Sequence, residues 1–275
     1  MKKRSLFSPM LLASAFAAIW ALPVLWVVLL SLKSNEVLRE GTVKAYRPYP
    51  LTLENYFTLF KVSLTPRWLL NSFIVAGSMT VATLIVSSLA GYALARVPFR
   101  GRGLLVAFFL AGMMVPEYSV ILPLHSLFSK WELHNTYAAL ILPRLSMPFG
   151  VFMMTQFFKA VPRDLEEAAE LDHASHLKIF LKIMLPLSRP ALTTLGIFTF
   201  LYAWNDFLWP LVSATDSSMY TVTVGLSSLQ GNFAQSEGLG FLMATAVFAS
   251  LPMVVVYLLF QHHIVRGISL GGGIK

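Results

Sequence analysis

Long apolar runs separated by shorter charged segments set the pattern of this chain. A helix rises about 1.5 Å per residue, so about 20 apolar residues cross a bilayer. Six runs reach that length: 9–32, 69–95, 104–129, 136–158, 187–212 and 241–262. The pattern predicts an all-α membrane protein with six transmembrane helices in a single domain, 1–275. Two of the runs are interrupted. Pro116 and Pro123 break the third, with Glu117 near its middle, and Pro143, Arg144 and Pro148 break the fourth. Such breaks are tolerated where neighbouring helices or water satisfy the freed backbone groups. Two longer polar segments remain, 33–68 and 159–186, and the first is expected to be partly ordered outside the membrane.

Composition agrees with a lipid-facing surface. Of the 275 residues 12% are charged, half of the roughly 25% usual in a soluble domain, and mean hydropathy is +0.68. The net charge of +8 raises nucleic acid as a partner, but the basic residues are spread over loops and form no stripe with interleaved aromatics. Anionic membrane lipid is the better partner for that balance, and nucleic acid is not expected. Cysteine is absent, which excludes disulfides and thiolate metal sites. Lys2-Lys3-Arg4 precedes the first run, and Ala13 to Ala15 resembles a signal-cleavage site. The run is too long for a signal-peptide core and is read as an uncleaved anchor. With the N-terminus inside, the inner segments together with Arg189 at the inner edge of the fifth run carry 13 Lys and Arg and the outer segments 7, and none falls in 213–238. Both termini are therefore expected in the cytoplasm.

The inner segment 159–186 has the marks of two short helices. Asp164, Glu166 and Glu167 fall where the first turn of a helix would be, beside its positive dipole end. Ser175 is placed to cap a second helix carrying Lys178 and Lys182 on one face, opposed by Leu181 and Met184. That helix is expected to end at Leu185-Pro186, since proline disfavours helix in the residue before it. Two helices at a tight turn make a surface knob, and Ala168 and Ala169 let another protein approach closely.

Glu167-Ala168-Ala169, a turn position at His173, and Ile183-Met184-Leu185-Pro186 resemble in spacing the "EAA" loop of permease subunits in binding-protein-dependent ABC importers. In that family the loop docks its coupling helices in a cleft of a cytoplasmic ATPase. The resemblance implies that Glu166, Glu167, Ala168, Ala169, Asp172, His173, Ala174, Leu185 and Pro186 form the coupling surface. The family usually has glycine where this chain has His173, which leaves the shape of the turn open. Asn55-Tyr56, Asn135-Thr136-Tyr137, Gln156-Phe157-Phe158 and Trp204-Asn205-Asp206-Phe207 extend the likeness over most of the chain. They look like the carbohydrate-uptake branch, and specifically its maltose-permease-like second subunit.

That resemblance implies a second homologous permease, two ATPase subunits and an extracytoplasmic solute-binding protein, in a bacterial or archaeal cytoplasmic membrane. The implied solute is a sugar or sugar-like molecule of oligosaccharide, polyol or glycerol-phosphate type. No G-x-x-x-x-G-K-[ST] is present, so this chain is expected to bind no cofactor, with ATP and Mg on the partner ATPase.

A charge at membrane depth costs about 2.5–3.5 kcal/mol and so faces protein or water. Asp206 and Asn205, flanked by Trp204, are candidates for the solute pathway, as is Glu117. The alternative is that the tryptophans mark the membrane boundary and Asp206 merely reaches water. His173 and His176 with nearby carboxylates suggest a metal site, but Ser175 breaks the helix between them and no third histidine is close, so no metal is expected. A stand-alone secondary transporter or channel is the alternative function, though it would want matched inverted halves that the sequence does not display.

Overall fold

The computed structural model describes residues 7–40, 47, 50–145, 147–231 and 238–270, and every regular element among them is helical. Lys2, Lys3, Arg4, Lys44 and the Gly271-Gly272-Gly273 run lie outside the described residues. Three helices are long and apolar enough to cross a membrane alone: α1 (Phe7–Ser31), α4 (Thr65–Arg96) and α15 (Leu239–Leu270). The other crossings are bent pairs, giving up to six spans. Between α1 and α4 stand the short helices α2 (Asn35–Arg39) and α3 (Glu54–Val62), so the first polar segment is indeed partly ordered.

The breaks fall at the prolines. Helix α5 (Arg102–Met114) stops before Pro116, and after a 3-10 turn at Glu117–Val120 the chain resumes as α6 (Ile121–Lys130), bent by 93°. Helix α7 (Tyr137–Ile141) runs into a 3-10 turn at Leu142–Arg144, and α8 (Pro148–Ala160) follows at 45°. The polar segment folds as α9 (Asp164–Leu171) and α10 (His176–Ile179).

Pro186 does not end the helix there. The chain passes through a π-helical turn, Phe180–Met184, into α11 (Leu185–Leu187) and reverses by 74° into α12 (Arg189–Asn205). Proline lacks the N–H that an α-turn would use, and the wider π-turn carries the chain past that gap. Leu181 also departs from its expected place: it is exposed, and the buried face is Ile179, Phe180 and Met184. The fifth apolar run, read as continuous from 187 to 212, is cut at Asp206, and α13 (Leu208–Ser213) is a separate element. Helix α14 (Val222–Gly231) follows, ahead of α15.

Two compact units divide the molecule, Met1–Leu69 with Val224–Leu251 and Leu70–Thr223 with Pro252–Lys275. In the first, Asn55 is the centre of a polar knot. Its amide donates to the carbonyls of Ser31 at 2.9 Å and Lys33 at 2.7 Å, and its Oδ1 accepts from Asn35 at 3.0 Å. Asn35 Oδ1 in turn accepts the Gly240 N–H at 2.8 Å. The turn after α1 leaves carbonyls with no helical partner, and a side-chain amide supplies the donors. A Cβ at Gly240 would stand 2.7 Å from both Asn55 Nδ2 and the Lys33 carbonyl, so only glycine fits. Along α1, residues 10 to 26 are all exposed.

The second unit has one core at each end. Tyr92, Phe158, Phe180 and Met184 are buried in the core beside the Arg96 end of α4, and Phe128, Ala139 and Trp209 form the other. Trp209 Nε1 donates to the Ala139 carbonyl at 2.9 Å. Asn135 takes left-handed backbone (φ 59°), which turns its carbonyl-bearing side chain onto the N–H groups of Thr215 at 2.7 Å and Asp216 at 2.8 Å. Thr136 caps α7, and Tyr137 donates to Asn71. The Asn135-Thr136-Tyr137 motif is thus a clasp between α7, the segment after α13 and α4.

Helices α4 and α8 pack nearly backbone to backbone. An added Cβ at Gly91 would meet Met154 Cβ at 2.6 Å and the Thr155 N at 2.9 Å, whereas one at Gly77 meets nothing within 4 Å. Small residues at membrane helix contacts permit such approach. Gly91→Ala should therefore destabilise the solubilised chain by about 1–3 kcal/mol through overpacking. Gly77→Ala should be neutral or stabilising by up to about 1 kcal/mol, since glycine is the weaker helix former. Thermal unfolding of the two variants in detergent checks the contrast, and equal midpoints would refute the close α4–α8 contact.

Candidate functional site

Three broken spans each bring one charged residue to a common point. Glu117 opens the turn after the α5 break, Arg144 closes the turn between α7 and α8, and Asp206 caps the C-terminus of α12 in extended backbone (φ −62°, ψ 131°). Arg144 is the hub. Its Nη1 lies 2.9 Å from Asp206 Oδ2, its Nη2 pairs with Glu117 Oε1, and Nη1 also donates to the Tyr202 hydroxyl at 2.8 Å. The guanidinium stands 5.1 Å from the Tyr202 ring centroid, within cation–π range. Arg144 and Asp206 side chains are 12% and 11% exposed, and Glu117 is 44% exposed. The cluster carries one cation against two carboxylates, and the open carboxylate is Glu117.

Two cavities meet this cluster. One of about 460 Å³ is lined by Met113, Glu117, Arg144, Met147, Phe149 and Tyr202 among others. The second, about 710 Å³, is lined by Glu117, Arg144, Tyr202, Asn205, Asp206 and Phe207 among others. Apolar walls with a few convergent polar groups are the usual build of a small-molecule site. Of the candidates read from sequence, Glu117, Asn205 and Asp206 are brought together here. Asn205 donates its amide back to the Leu201 carbonyl at 2.8 Å while lining the second cavity. Trp204 is placed elsewhere: it is buried against Phe73 and Phe200, with ring centroids 4.9 and 5.6 Å away. Trp209 is likewise a core residue. Arg144 entered the sequence reading only as an interruption of a span, and Tyr202 did not enter it.

The second region is the knob formed by α9 and α10. Ser175 Oγ accepts the Lys178 N–H at 3.4 Å, the cap its sequence position suggests. Asp164, Glu166 and Glu167 all lie in the first turn of α9. Glu167, Ala168, Asp172 and His173 are exposed, Ala169 and Ala174 pack partly buried on the core below, and Leu185 and Pro186 sit past the π-turn. His173 adopts φ 55°, so the turn takes the left-handed geometry for which glycine is the ordinary choice. Its N–H donates to the Glu170 carbonyl at 2.9 Å and the Ala174 N–H to Ala169 at 3.0 Å, which close the α9 end.

Glu166 points the other way. It is 8% exposed and its Oε1 lies 3.0 Å from Arg96 Nε. Burial pushes its carboxyl above the ordinary value, opposed chiefly by the Arg96 guanidinium. Among the described residues no three His, Asp or Glu side chains converge as metal ligands.

Comparison with known proteins gives the same picture over nearly the full length. The chain is 36% identical to the arabinooligosaccharides transport system permease protein of Halalkalibacterium halodurans, over 94% of this chain and 92% of that one. It is 35% identical to the trehalose/maltose transport system permease protein of Thermococcus litoralis, over 94% and 93%. The fold matches, at a TM-score of 0.82 and 21% identity, a chain of a bacterial ABC transporter involved in the import of the acidic polysaccharide alginate, covering 95% of this chain and 98% of that one. Residues 84–270 match the model of the binding-protein-dependent transport system inner membrane component, a region that holds all three charged breaks and the knob. The chain belongs to that family of inner membrane transport components.

Proposed function

We infer that this chain is a permease subunit of an ATP-driven importer for a sugar or sugar-like solute, and that it forms half of the translocation pathway. The observation that carries the reading is the knob: a short acidic-headed helix, a left-handed turn and a second capped helix, with Glu167, Ala168 and His173 exposed together. Such a surface has small residues for close approach and charges for orientation, and it suits a cleft on a separate ATPase. The sequence has no phosphate-binding loop, which supports a reading in which that partner hydrolyses ATP. An external solute-binding protein and a second permease complete the assembly, and the relatives' names, arabinooligosaccharides and trehalose/maltose, support a solute of oligosaccharide type.

Within this reading the Glu117–Arg144–Asp206 cluster with Tyr202 lines the solute pathway. Carboxylates, a guanidinium and a phenol offer hydroxyl groups both donors and acceptors, and the broken helices around them keep backbone polar groups available to a water-filled route.

Three measurements test the reading. Glu167→Lys should release the ATPase subunits from the purified complex while the chain still inserts. Normal retention together with normal uptake would remove the docking role. Asp206→Asn leaves Arg144 its second carboxylate, so assembly should hold. Loss of one charge-assisted hydrogen bond, about 1.5–3 kcal/mol, should lower uptake per assembled complex about tenfold or more. Arg144→Leu should instead lower the amount of complex, because the largely buried Asp206 carboxylate loses its cation at a cost of about 3–5 kcal/mol. Wild-type uptake per complex in Asp206→Asn would take the cluster out of the pathway.

The charge count favours the knob in the cytoplasm and 213–238 outside. The chain has no cysteine, so single thiols report topology directly. In intact cells a membrane-impermeant thiol reagent should label a cysteine at Ser217 and spare one at Leu171. The reverse result would invert the orientation.

A further inference from the structure

The knob is fastened to the rest of its unit in two different ways. Ala169 and Ala174 rest on apolar side chains, a contact that can slide. Arg96 makes the other attachment, and it cannot slide without breaking. Arg96 is the last residue of α4, and its side chain is 5% exposed. Its Nε holds Glu166 Oε1 at 3.0 Å, in the first turn of α9. Its Nη2 donates to the carbonyls of Phe158, at 2.5 Å, and Val161. Phe158 lies in the last turn of α8 and Val161 is its C-cap, so both carbonyls are helix-end acceptors, and that of Phe158 also takes the Val161 N–H at 3.3 Å. One guanidinium therefore ties the end of α4, the end of α8 and the start of α9 at a single point.

The charges suit their places. A cation at the C-termini of α4 and α8 and an anion at the N-terminus of α9 each face the helix dipole end that favours them. Guanidinium is planar, with donors in a fixed fork, so it holds three helix ends in fixed relative orientation, which a lysine ammonium would not. Both charges are nearly removed from water, and separating them would leave each uncompensated. Glu167, the next residue, faces outward on the same turn. Adjacent carboxylates thus divide the work, one toward a partner and one toward the spans.

We propose that the Arg96–Glu166 pair is the rigid joint through which displacement of the α9–α10 knob is passed to α4 and α8. The proposal rests on the reading that the knob docks on an ATPase. Arg96 and Glu166 act as positioning residues, touching neither solute nor nucleotide. Movement of α8 reaches the cluster directly, because Phe149 in its first turn lines the 460 Å³ cavity beside Arg144.

The test uses the whole importer, with a single cysteine replacing Phe149 as reporter. Its reaction rate with a small thiol reagent is measured without nucleotide and with the ATPase trapped by ATP and vanadate. With the joint intact the rate should change on trapping by about fivefold or more, the range of an ordinary coupling free energy. In Glu166→Gln and in Arg96→Lys, ATPase subunits should remain bound and hydrolyse ATP, while the nucleotide-dependent change disappears. A purely structural pair would instead lower assembly and hydrolysis and leave the change intact in whatever complex forms. Persistence of the change in either assembled variant overturns the proposal. So does failure of both variants to assemble, or a reporter that ignores nucleotide when the joint is intact. Failure of the docking reading is seen separately, as a parent complex that retains no ATPase before any joint residue is altered.

Discussion

Arg144 imposes the constraint around which the second unit is arranged. A guanidinium does not lose its charge in a protein, and in the apolar part of a membrane protein it must find anions. Here they come from two other spans, each interrupted at the point where its carboxylate is needed. Proline at 116 ends α5 before Glu117, and the extended backbone at Asp206 ends α12. If either span ran on as straight helix, Arg144 would face one carboxylate or none. The bends of 93° and 45° and the end of α12 at Asp206 are thus coupled: the cluster needs the breaks, and the breaks are held together by the cluster. The hydroxyl of Tyr202 accepts a further N–H of the guanidinium, and the most exposed charge of the cluster is the Glu117 carboxylate.

Much of this was legible along the chain. The apolar runs fall on the three long helices and on the bent pairs that bring the spans to as many as six, and Pro116, Pro143 and Pro148 mark where two of those pairs bend. Ser175 announces its helix, and the acidic triplet announces α9. The charges at depth, Glu117 and Asp206, stand out because a charge in a lipid environment must face protein or water. Their partner was not legible. Arg144 is 62 residues from Asp206 and sits between two prolines, where it reads as part of a break. Pairing across that distance follows from how the spans pack, and no periodicity records it.

Neighbouring residues misled for a related reason. Trp204 and Asp206 are two apart, and on a helix two positions differ by about 200° in direction, so one faced the aromatic cluster with Phe73 and Phe200 while the other reached the cavity. Glu166 and Glu167 pose the same problem at about 100°. Either could have been the inward one until the packing face of α9 was known, and Ala169 three positions on from Glu166 decides it. Pro186 failed as a stop signal because a π-turn can bypass the missing N–H, a local solution that residue preference alone does not foresee.

Two arginines do most of the electrostatic work in this unit, and the difference between them separates structure from function. Arg96 meets one carboxylate and two backbone carbonyls, its charge is balanced, and no cavity reaches it among those described. Such a group can only hold things in place. Arg144 meets two carboxylates and a phenol, is overbalanced by negative charge, and borders two cavities. Its partners therefore keep acceptor capacity facing open space, where a polyhydroxylated solute could use it. Because α8 ends on Arg96 and begins beside Arg144's cavity, the proposed joint would let a shift at the balanced arginine change the geometry available at the unbalanced one. A closed ion pair moves a helix as a body, and an open one responds by changing what it can bind.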